Sequence, residues 1–301
     1  MKEKEFISVI KSSLNSEFIG DDCAYLKDLG IVITQDSLAE GVHFKTDYIS
    51  PFQLGYKSVM VNISDIAASG AEPAYITISL SLPDYIDKNF ITDFYEGCKK
   101  ACSKSIKIVG GDITGADKIY ISVCALGKTY GRNISSRSGA QIGQKVIVSG
   151  NHGSSGAGLS LLVNNKKSPE KFIKAHLEPE ACIEFAKRIS SNIKGKYAMT
   201  DSSDGLMDAL SNIANDSGVL LDIDFDKVPH DKDIEKFENW EDLILFGGED
   251  YQIIATVPES YEGGIKIGEV KKGLGIDLKT DGITKHYSKS DTENRLFNHF
   301  E

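Results

Sequence analysis

The sequence lacks the marks of several large protein classes. Its five cysteines include no CxxC pair, which argues against a disulfide framework or a tetrahedral zinc site and favours a reducing compartment. No apolar run approaches about 18 residues. The first residues, MKEKEF, form no apolar signal region, so we expect a cytoplasmic protein that enters no membrane. Basic residues are outnumbered 34 to 44, and the net charge of −10 argues against nucleic-acid partners.

Six short acidic segments are the most informative feature that the chain does have. They read GDD (20–22), TQDS (34–37), NISD (62–65), GGD (110–112), DSSDG (201–205) and GGED (247–250). Any one of them alone is most often turn or helix-cap chemistry. Several of them adjoin strand-like runs, however, and a sheet would bring such segments to one edge. Hard oxygen ligands gathered in this way suit Mg²⁺ and a polyphosphate, so jointly the segments favour a metal-phosphate site.

The order of elements predicts two domains. A chain of 301 residues has room for two medium domains. Strands and helices alternate without the regular spacing of a doubly wound domain, which favours α+β layers. The basic stretch GRNISSRSG, with Arg132 and Arg137, separates the halves, so we place the domains at 1–137 and 138–301.

Two early strands are predicted to carry acids. The segments Cys23–Leu26 and Ile31–Thr34 are short and apolar with a glycine-containing turn between them. They should pair as a hairpin with Asp22 and Asp36 as neighbours at its open end.

A helix is predicted over 52–69, opened by a Ser-Pro pair and closed by glycine. On it Asn62, Asp65 and Ser69 fall three and four residues apart. They therefore share one face, which presents Asp65 to the site.

Other motifs leave alternatives open. The segment GNHGSSGAG (150–158) is equally compatible with a phosphate-cradling loop and a tight strand-to-helix turn, because it lacks the Walker lysine and the dinucleotide spacing. In DSSDG, Ser203 or Asp204 is expected to cap the helix starting at Leu206, which leaves Asp201 for metal. His43 alone is more often a packed histidine than a catalyst. No nucleophile has a recognisable histidine and acid partner, so covalent catalysis is not supported.

Taken together, these motifs resemble the thiamine-monophosphate kinase family. The resemblance covers about residues 5–260 and the tail LFNHF, and it rests on GDDCAYL, TQDSLAEGVHF, GYKSVMVNISDIAASGAEPAYITISLSLP, GGDITG, RSGAQIGQKVIVSG, DSSDG and FGGEDYQIIATVP. The superfamily also holds aminoimidazole ribonucleotide synthetase, selenophosphate synthetase and a hydrogenase-maturation protein.

The resemblance implies a fold and a reaction. The expected fold is a two-domain aminoimidazole ribonucleotide synthetase-like fold of α/β and α+β class. Its N-terminal mixed-sheet domain pairs in a homodimer, and its C-terminal domain is α+β. The implied reaction uses ATP and several Mg²⁺ ions and transfers the γ-phosphoryl group directly to thiamine phosphate, giving thiamine diphosphate and ADP. The alternatives are another ATP-dependent synthetase of the superfamily, or a non-catalytic nucleotide- or cation-binding regulator.

The resemblance also implies site residues. The implied metal positions are Asp22, Thr34, Gln35, Asp36, Asp65, Asp112, Asp201 and Asp204. The implied ATP positions are Tyr95, Gly111, Asp112, Arg137 and Ser203, and the implied thiamine phosphate positions are His43, Glu249 and Phe297. Among these, Asp36, Asp65 and Arg137 are expected to be catalytic. Three positions depart from the family pattern: Gln35 replaces a threonine, so its metal contact is expected through the backbone, Ser154 replaces an aspartate, and Phe297 replaces a tryptophan.

Overall fold

The computed structural model describes residues 3–296, which form two sheets with helices packed on them. The amino-terminal elements are α1 (Glu3–Leu14), β1 (Ala24–Leu26), β2 (Ile31–Ala39), α2 (Pro51–Ala68), β3 (Glu72–Leu82), α3 (Lys88–Cys102), β4 (Lys107–Gly115) and β5 (Tyr120–Lys128). The strands form a sheet in the order β1-β2-β5-β3-β4, in which β3 and β4 are parallel and the other pairs antiparallel. The predicted mixed sheet is confirmed.

The predicted hairpin is present, and its second strand is longer than expected. Strands β1 and β2 pair antiparallel, with Leu26 opposite Ile31. Strand β2 continues to Ala39 because it also pairs along its whole length with β5. Asp36 therefore lies within a strand, opposite Val123, and not at the end of one.

Helix α2 forms where the sequence predicts it. Ser50 caps the helix by accepting a hydrogen bond from the Gln53 backbone N–H, and Pro51 occupies the first turn. Gly55 of α2 and Gly97 of α3 permit a close crossing of the two helices, since a Cβ on either would lie 1.9 Å from a backbone oxygen of the other helix. This crossing packs α2 and α3 closely against each other.

Within residues 3–296, helices α2 and α3 cover one face of the amino-terminal sheet. Alternate residues of β2, β3 and β5, such as Val32, Ile78 and Val123, point at α2 and α3 and are fully buried. Residues of the opposite face are mostly half-buried or exposed, and the edge strand β4 is exposed along its whole length.

The carboxy-terminal elements build a second mixed sheet. They are β6 (Lys145–Val148), α4 (Ser154–Val163), α5 (Glu170–Leu177), α6 (Ile183–Asn192), β7 (Met199–Asp201), α7 (Leu206–Ser217), β8 (Leu220–Asp224), α8 (Trp240–Phe246), β9 (Ile253–Val257), β10 (Ile265–Lys271), β11 (Gly275–Thr280), β12 (Ile283–Tyr287) and α9 (Lys289–Glu293). The strand order is β12-β11-β8-β10-β6-β9-β7, and β8 and β11 are parallel while the other pairs are antiparallel. This confirms the α+β expectation. The predicted boundary at residue 137 lies between the two sheets and stays a prediction.

Helix α2 belongs to both halves of the molecule. Its last turn packs Ala67 and Ala68 into a core with Ile189 of α6 and Ile253 of β9, while its earlier residues pack on the amino-terminal sheet. Polar residues on α2 are therefore held rigidly between the two sheets.

One local expectation, the cap of helix α7, is overturned. Gly205 occupies the N-cap position of α7 without a side-chain cap, so the predicted capping by Ser203 or Asp204 is wrong. No helix within residues 3–296 is long and apolar enough to cross a membrane.

Candidate metal and substrate site

Three of the predicted carboxylates meet between the two halves of the molecule. One oxygen from each of Asp22, Asp65 and Asp201 lies within 4.8 Å of the others. Asp22 precedes β1, Asp65 lies near the end of α2, and Asp201 is the last residue of β7. Three of the six acidic segments thus place an acid at one point.

The surroundings of Asp65 and Asp201 disfavour negative charge on these two residues. Burial raises the pKa of Asp65 well above its usual value, and Asp36, Asp201 and Asp22 raise it further. Burial and Asp22 raise the pKa of Asp201 to about 7. Repelling carboxylates in a buried position require either protons or a cation.

Hydrogen bonding at the cluster leaves room for a cation. Thr34 Oγ1 donates to Asp65 Oδ2 at 2.6 Å, and Ser64 Oγ donates to Asp201 Oδ2. Asp201 Oδ1 is buried, and no partner for it is found among the described residues. An orphaned carboxylate oxygen beside two more carboxylates fits Mg²⁺, which prefers oxygen ligands.

Residues 34–36 divide between the two faces of the sheet. Asp36 donates its backbone N–H to Asn62 Oδ1 at 3.0 Å and acts electrostatically on Asp65. The Gln35 side chain projects to the opposite face, where it donates to Ser122 Oγ at 3.1 Å. Gln35 therefore cannot reach the cluster through its side chain in this arrangement, whereas Asp36 lies beside it.

Arg137 is attached directly to the cluster. Its guanidinium Nη2 donates to Asp22 Oδ1 at 2.6 Å, and its backbone N–H donates to Asp21 Oδ1 at 2.7 Å. Thr200 Oγ1 also donates to Asp22 Oδ1, at 2.8 Å. Although burial would lower the pKa of Arg137, Asp22 raises it, so the guanidinium stays charged beside the acids.

The predicted substrate residues His43 and Glu249 also come together. Glu249 follows α8, and its backbone N–H donates to the Ser203 carbonyl at 2.6 Å. Burial would raise the pKa of Glu249, but Lys57, His176 and His43 lower it. His43 itself accepts a hydrogen bond at Nδ1 from the Ala39 backbone N–H at 3.0 Å. Phe297 lies outside the described residues.

Two of the predicted residues, Gly111 and Asp112, lie apart from the cluster. Gly111 is in register with Ile78, Val123 and Asp36, so β4 lies three strand spacings, roughly 14 Å, from β2. Asp112 is on the same edge strand, and Tyr95 lies on α3. Asp204 is exposed, three residues beyond Asp201. Within one chain, β4 cannot bring Gly111 or Asp112 to the three carboxylates.

The glycine-rich segment is a strand-to-helix turn. Asp250 places its carboxylate at the start of α4, where Oδ2 accepts from the Gly153 N–H at 2.5 Å and Oδ1 accepts from the Ser155 N–H at 2.8 Å. The protein's own carboxylate thus occupies the position that a phosphate would take at this helix terminus.

Sequence reasoning missed several neighbours of the site. Ser64 and Thr200 adjoin predicted acids, so their positions gave a usable signal. Lys57 and His176 gave none, because an isolated lysine on a helix usually indicates a solvated face. Two cavities, of about 640 and 580 Å³, lie along α6, and none of the three carboxylates lines either of them.

Comparisons with known proteins agree with the motifs. Family models described as AIR synthase related protein match the chain, the N-terminal domain over residues 20–129 and the C-terminal domain over 141–272. Thiamine-monophosphate kinase of Aquifex aeolicus is 38% identical over 286 residues, covering 90% of this chain and 92% of the relative. The chain belongs to the thiamine-monophosphate kinase family.

Further relatives extend the match to the whole fold. The kinase of Bacillus subtilis is 37% identical over 306 residues, covering 94% of this chain and 93% of that one. A solved structure described as AaThiL complexed with AMPPCP and TMP superimposes with a TM-score of 0.87 at 37% identity, covering 95% of this chain and 96% of that one. The two-domain aminoimidazole ribonucleotide synthetase-like fold is therefore established for this member of the kinase family.

Proposed function

We propose that the protein transfers the γ-phosphoryl group of ATP to thiamine phosphate, giving thiamine diphosphate and ADP. The observation that carries this proposal is the convergence of Asp22, Asp65 and Asp201 within 4.8 Å. Membership of the kinase family and the similarity to a structure with AMPPCP and TMP support the choice of substrates.

The acids are proposed to hold Mg²⁺. Asp22, Asp65 and Asp201 would be the main ligands, with Asp36, Asp204 and the Thr34–Gln35 backbone nearby. When bound, Mg²⁺ would supply positive charge that neutralises the charge developing on the phosphate groups. The chain's own contribution is a rigid mount for these ligands, because α2 is fixed against both sheets.

The transfer needs alignment more than proton removal. An oxygen of the acceptor phosphate attacks Pγ, the bond from Pγ to the bridging oxygen breaks, and ADP leaves. The acceptor is already ionised at neutral pH, so no strong general base is required. Arg137, which is paired with Asp22, supplies a fixed positive charge for the phosphates. Ser203, in the loop between β7 and α7, is proposed to bind ATP.

The ring end of thiamine phosphate, away from its phosphate group, is proposed to lie at His43 and Glu249. These residues come from different halves of the chain and act electrostatically on each other. Phe297 is proposed to provide an aromatic face for the rings.

We also propose that the working unit is a homodimer. The uncovered face of the amino-terminal sheet and the exposed apolar residues Ile108, Val109 and Ile113 on β4 support pairing through this sheet. Because β4 lies roughly 14 Å from β2, Asp112 and Gly111 would serve the ATP site of the partner subunit. Tyr95, which lies on α3, is proposed to bind ATP as well. Five free cysteines and the use of ATP support a cytoplasmic location.

An ADP-release assay tests the reaction. The purified protein is given ATP and Mg²⁺ with thiamine phosphate, with thiamine, or with no acceptor. ADP release that depends on thiamine phosphate and matches thiamine diphosphate formation is expected. ATP use with a different acceptor would indicate another synthetase of the superfamily, and no ATP use in any arm would indicate a regulator.

A further inference from the structure

Lys57 is a buried cation that the phosphoryl-transfer scheme does not use. Its side chain is 1% exposed in the middle of α2, and its Nζ lies 3.0 Å from both carboxylate oxygens of Glu249. A buried ammonium is strongly unfavourable unless it is paired. The pairing with Glu249 therefore explains how a lysine can be retained at this depth.

The loop that carries Glu249 is held in an unusual conformation. Glu249 and Tyr251 have φ of +65° and +50°, a region that non-glycine residues rarely adopt. Between them Asp250 is fixed by the N–H groups of α4, and the Glu249 N–H is fixed by the Ser203 carbonyl. Such backbone persists only where its surroundings enforce it, and it is concentrated at ligand sites.

His176 completes the surroundings of Glu249 without adding charge. Its Nδ1 lies 3.3 Å from Glu249 Oε2 and 3.0 Å from Ser155 Oγ. Burial and the charge of Lys57 lower the pKa of His176 to about 4, so the ring is neutral at neutral pH. Among residues 3–296, Lys57 is therefore the cation that contacts the Glu249 carboxylate and balances its charge.

The Glu249 carboxylate keeps capacity for a ligand. It remains 23% exposed, and a carboxylate offers about four acceptor positions, more than Lys57 and His176 occupy. Because Lys57 already balances the charge of Glu249, the Glu249 carboxylate would attract a cationic ring only weakly. The lone pairs of this carboxylate can still accept hydrogen bonds from N–H groups.

We propose that Lys57 is a positioning residue that presents Glu249 as a charge-balanced hydrogen-bond acceptor for the amino group of the substrate's pyrimidine ring. It does not prepare Glu249 as a counter-ion for the thiazolium ring. This inference rests on the proposed function. Lys57 and Asp65 lie eight residues apart on α2, about 12 Å along its axis, so one helix fixes the ring end and the phosphate end of the same substrate.

A double-mutant cycle tests the coupling. The variants are Lys57→Met, Glu249→Gln and the double variant, with Ser58→Ala as the control, since Ser58 is a buried neighbour whose hydroxyl donates to the Leu54 carbonyl. Lys57→Met should raise the KM for thiamine phosphate about tenfold and leave the KM for ATP within about twofold. In the Glu249→Gln background the same change should alter the KM for thiamine phosphate less than about twofold.

Several results would overturn the proposal. Equal effects of Lys57→Met in both backgrounds, or an equal rise in the KM for ATP, would show a general structural role. If Lys57→Met does not fold, Glu249→Gln and the double variant still decide the matter: equal KM values support the proposal and a further rise in the double variant contradicts it. A wild-type protein that releases no ADP with thiamine phosphate would instead contradict the proposed function.

A substrate analogue separates the two roles of Glu249. In this analogue an oxygen replaces the pyrimidine amino group while the thiazolium charge is kept. The wild type should bind it at least about tenfold more weakly than thiamine phosphate, by calorimetry, because Glu249 then faces an acceptor. Lys57→Met should lose most of this discrimination. Equal binding of the two compounds by the wild type would overturn the assignment of the amino group.

Discussion

At the scale of single residues, repulsion among the carboxylates determines the effect of substitutions. Asp22, Asp65 and Asp201 lie close together, and their proximity and burial disfavour the charged forms of Asp65 and Asp201. Carboxylates that repel one another in a buried position reduce the stability of the fold. Such residues are expected to have a functional role.

Replacing Asp65 by Asn should separate stability from activity. The change removes one repelling charge, so the metal-free variant should melt about 2 °C higher, corresponding to about 1 kcal/mol. Turnover should fall on the order of a thousandfold because a main cation ligand is lost. Calorimetry and the ADP-release assay measure the two effects. The exposed Asp28→Asn is the control, and a wild-type rate in Asp65→Asn would disprove its role.

The effect of Mg²⁺ on stability should depend on pH. The pKa of Asp201 is raised from 3.8 to about 7, so the folded protein holds this proton more tightly than the unfolded chain. The resulting stability is present at low pH and is lost as the pH rises towards 7. Since Mg²⁺ competes with the proton, it should raise Tm more at pH 8 than at pH 6. Thermal melts with and without MgCl2 measure this, and Asp201→Asn should reduce the difference; equal shifts at both pH values would count against the site.

Single residues also show where sequence reasoning ends. Asp65 could be predicted because helical spacing sets its face together with Asn62. Lys57 could not, since only the loop containing Glu249, almost two hundred positions later, makes its burial possible. Charge type is visible in a sequence, whereas the depth at which a charge lies depends on distant packing.

At the scale of elements, the start of α4 depends on an acid from another segment. Asp250 satisfies two buried backbone N–H groups of this helix. The glycine-rich sequence indicates a sharp turn, but it gives no sign of whether the helix terminus faces a ligand or a side chain. Here the sequence left two alternatives, and a tertiary contact decides between them.

Replacing Asp250 by Ala should destabilise the carboxy-terminal half. Two N–H groups would be left unsatisfied, which costs about 2–4 kcal/mol in total. Chemical denaturation should show this loss together with a higher KM for thiamine phosphate, because Glu249 is adjacent. The exposed Asp226→Ala, expected to change stability by less than about 0.5 kcal/mol, is the matched control. A loss no larger than that of the control would show that the α4 contact contributes little.

At the scale of the whole molecule, two mixed sheets share the helix α2. The alternation of elements and the motif order predict the two-part fold correctly. The sequence could not show that α2 would pack into both cores. The reason is that the apolar residues of this helix could pack against either sheet. Nor could it show that Gly111 and Asp112 lie at the far edge of the sheet from Asp36.

Mixed dimers test whether Asp112 acts across subunits. Asp36→Asn and Asp112→Asn should each be inactive alone. If Asp112 serves the partner, a heterodimer of the two variants has one intact site, and a statistical mixture should recover about a quarter of the wild-type rate. Co-expression of differently tagged subunits and the ADP-release assay measure this. Activity that stays at the level of the single variants would place Asp112 in its own subunit's site or outside the reaction.

The most direct test of the central claim is to locate the cations. Crystals grown with Mn²⁺, a non-hydrolysable ATP analogue and thiamine phosphate would be measured for anomalous scattering. We expect anomalous peaks bonded to Asp22, Asp65 and Asp201, lying between the terminal phosphates of the two ligands. Both ligands bound with no peak at these three carboxylates would contradict the account.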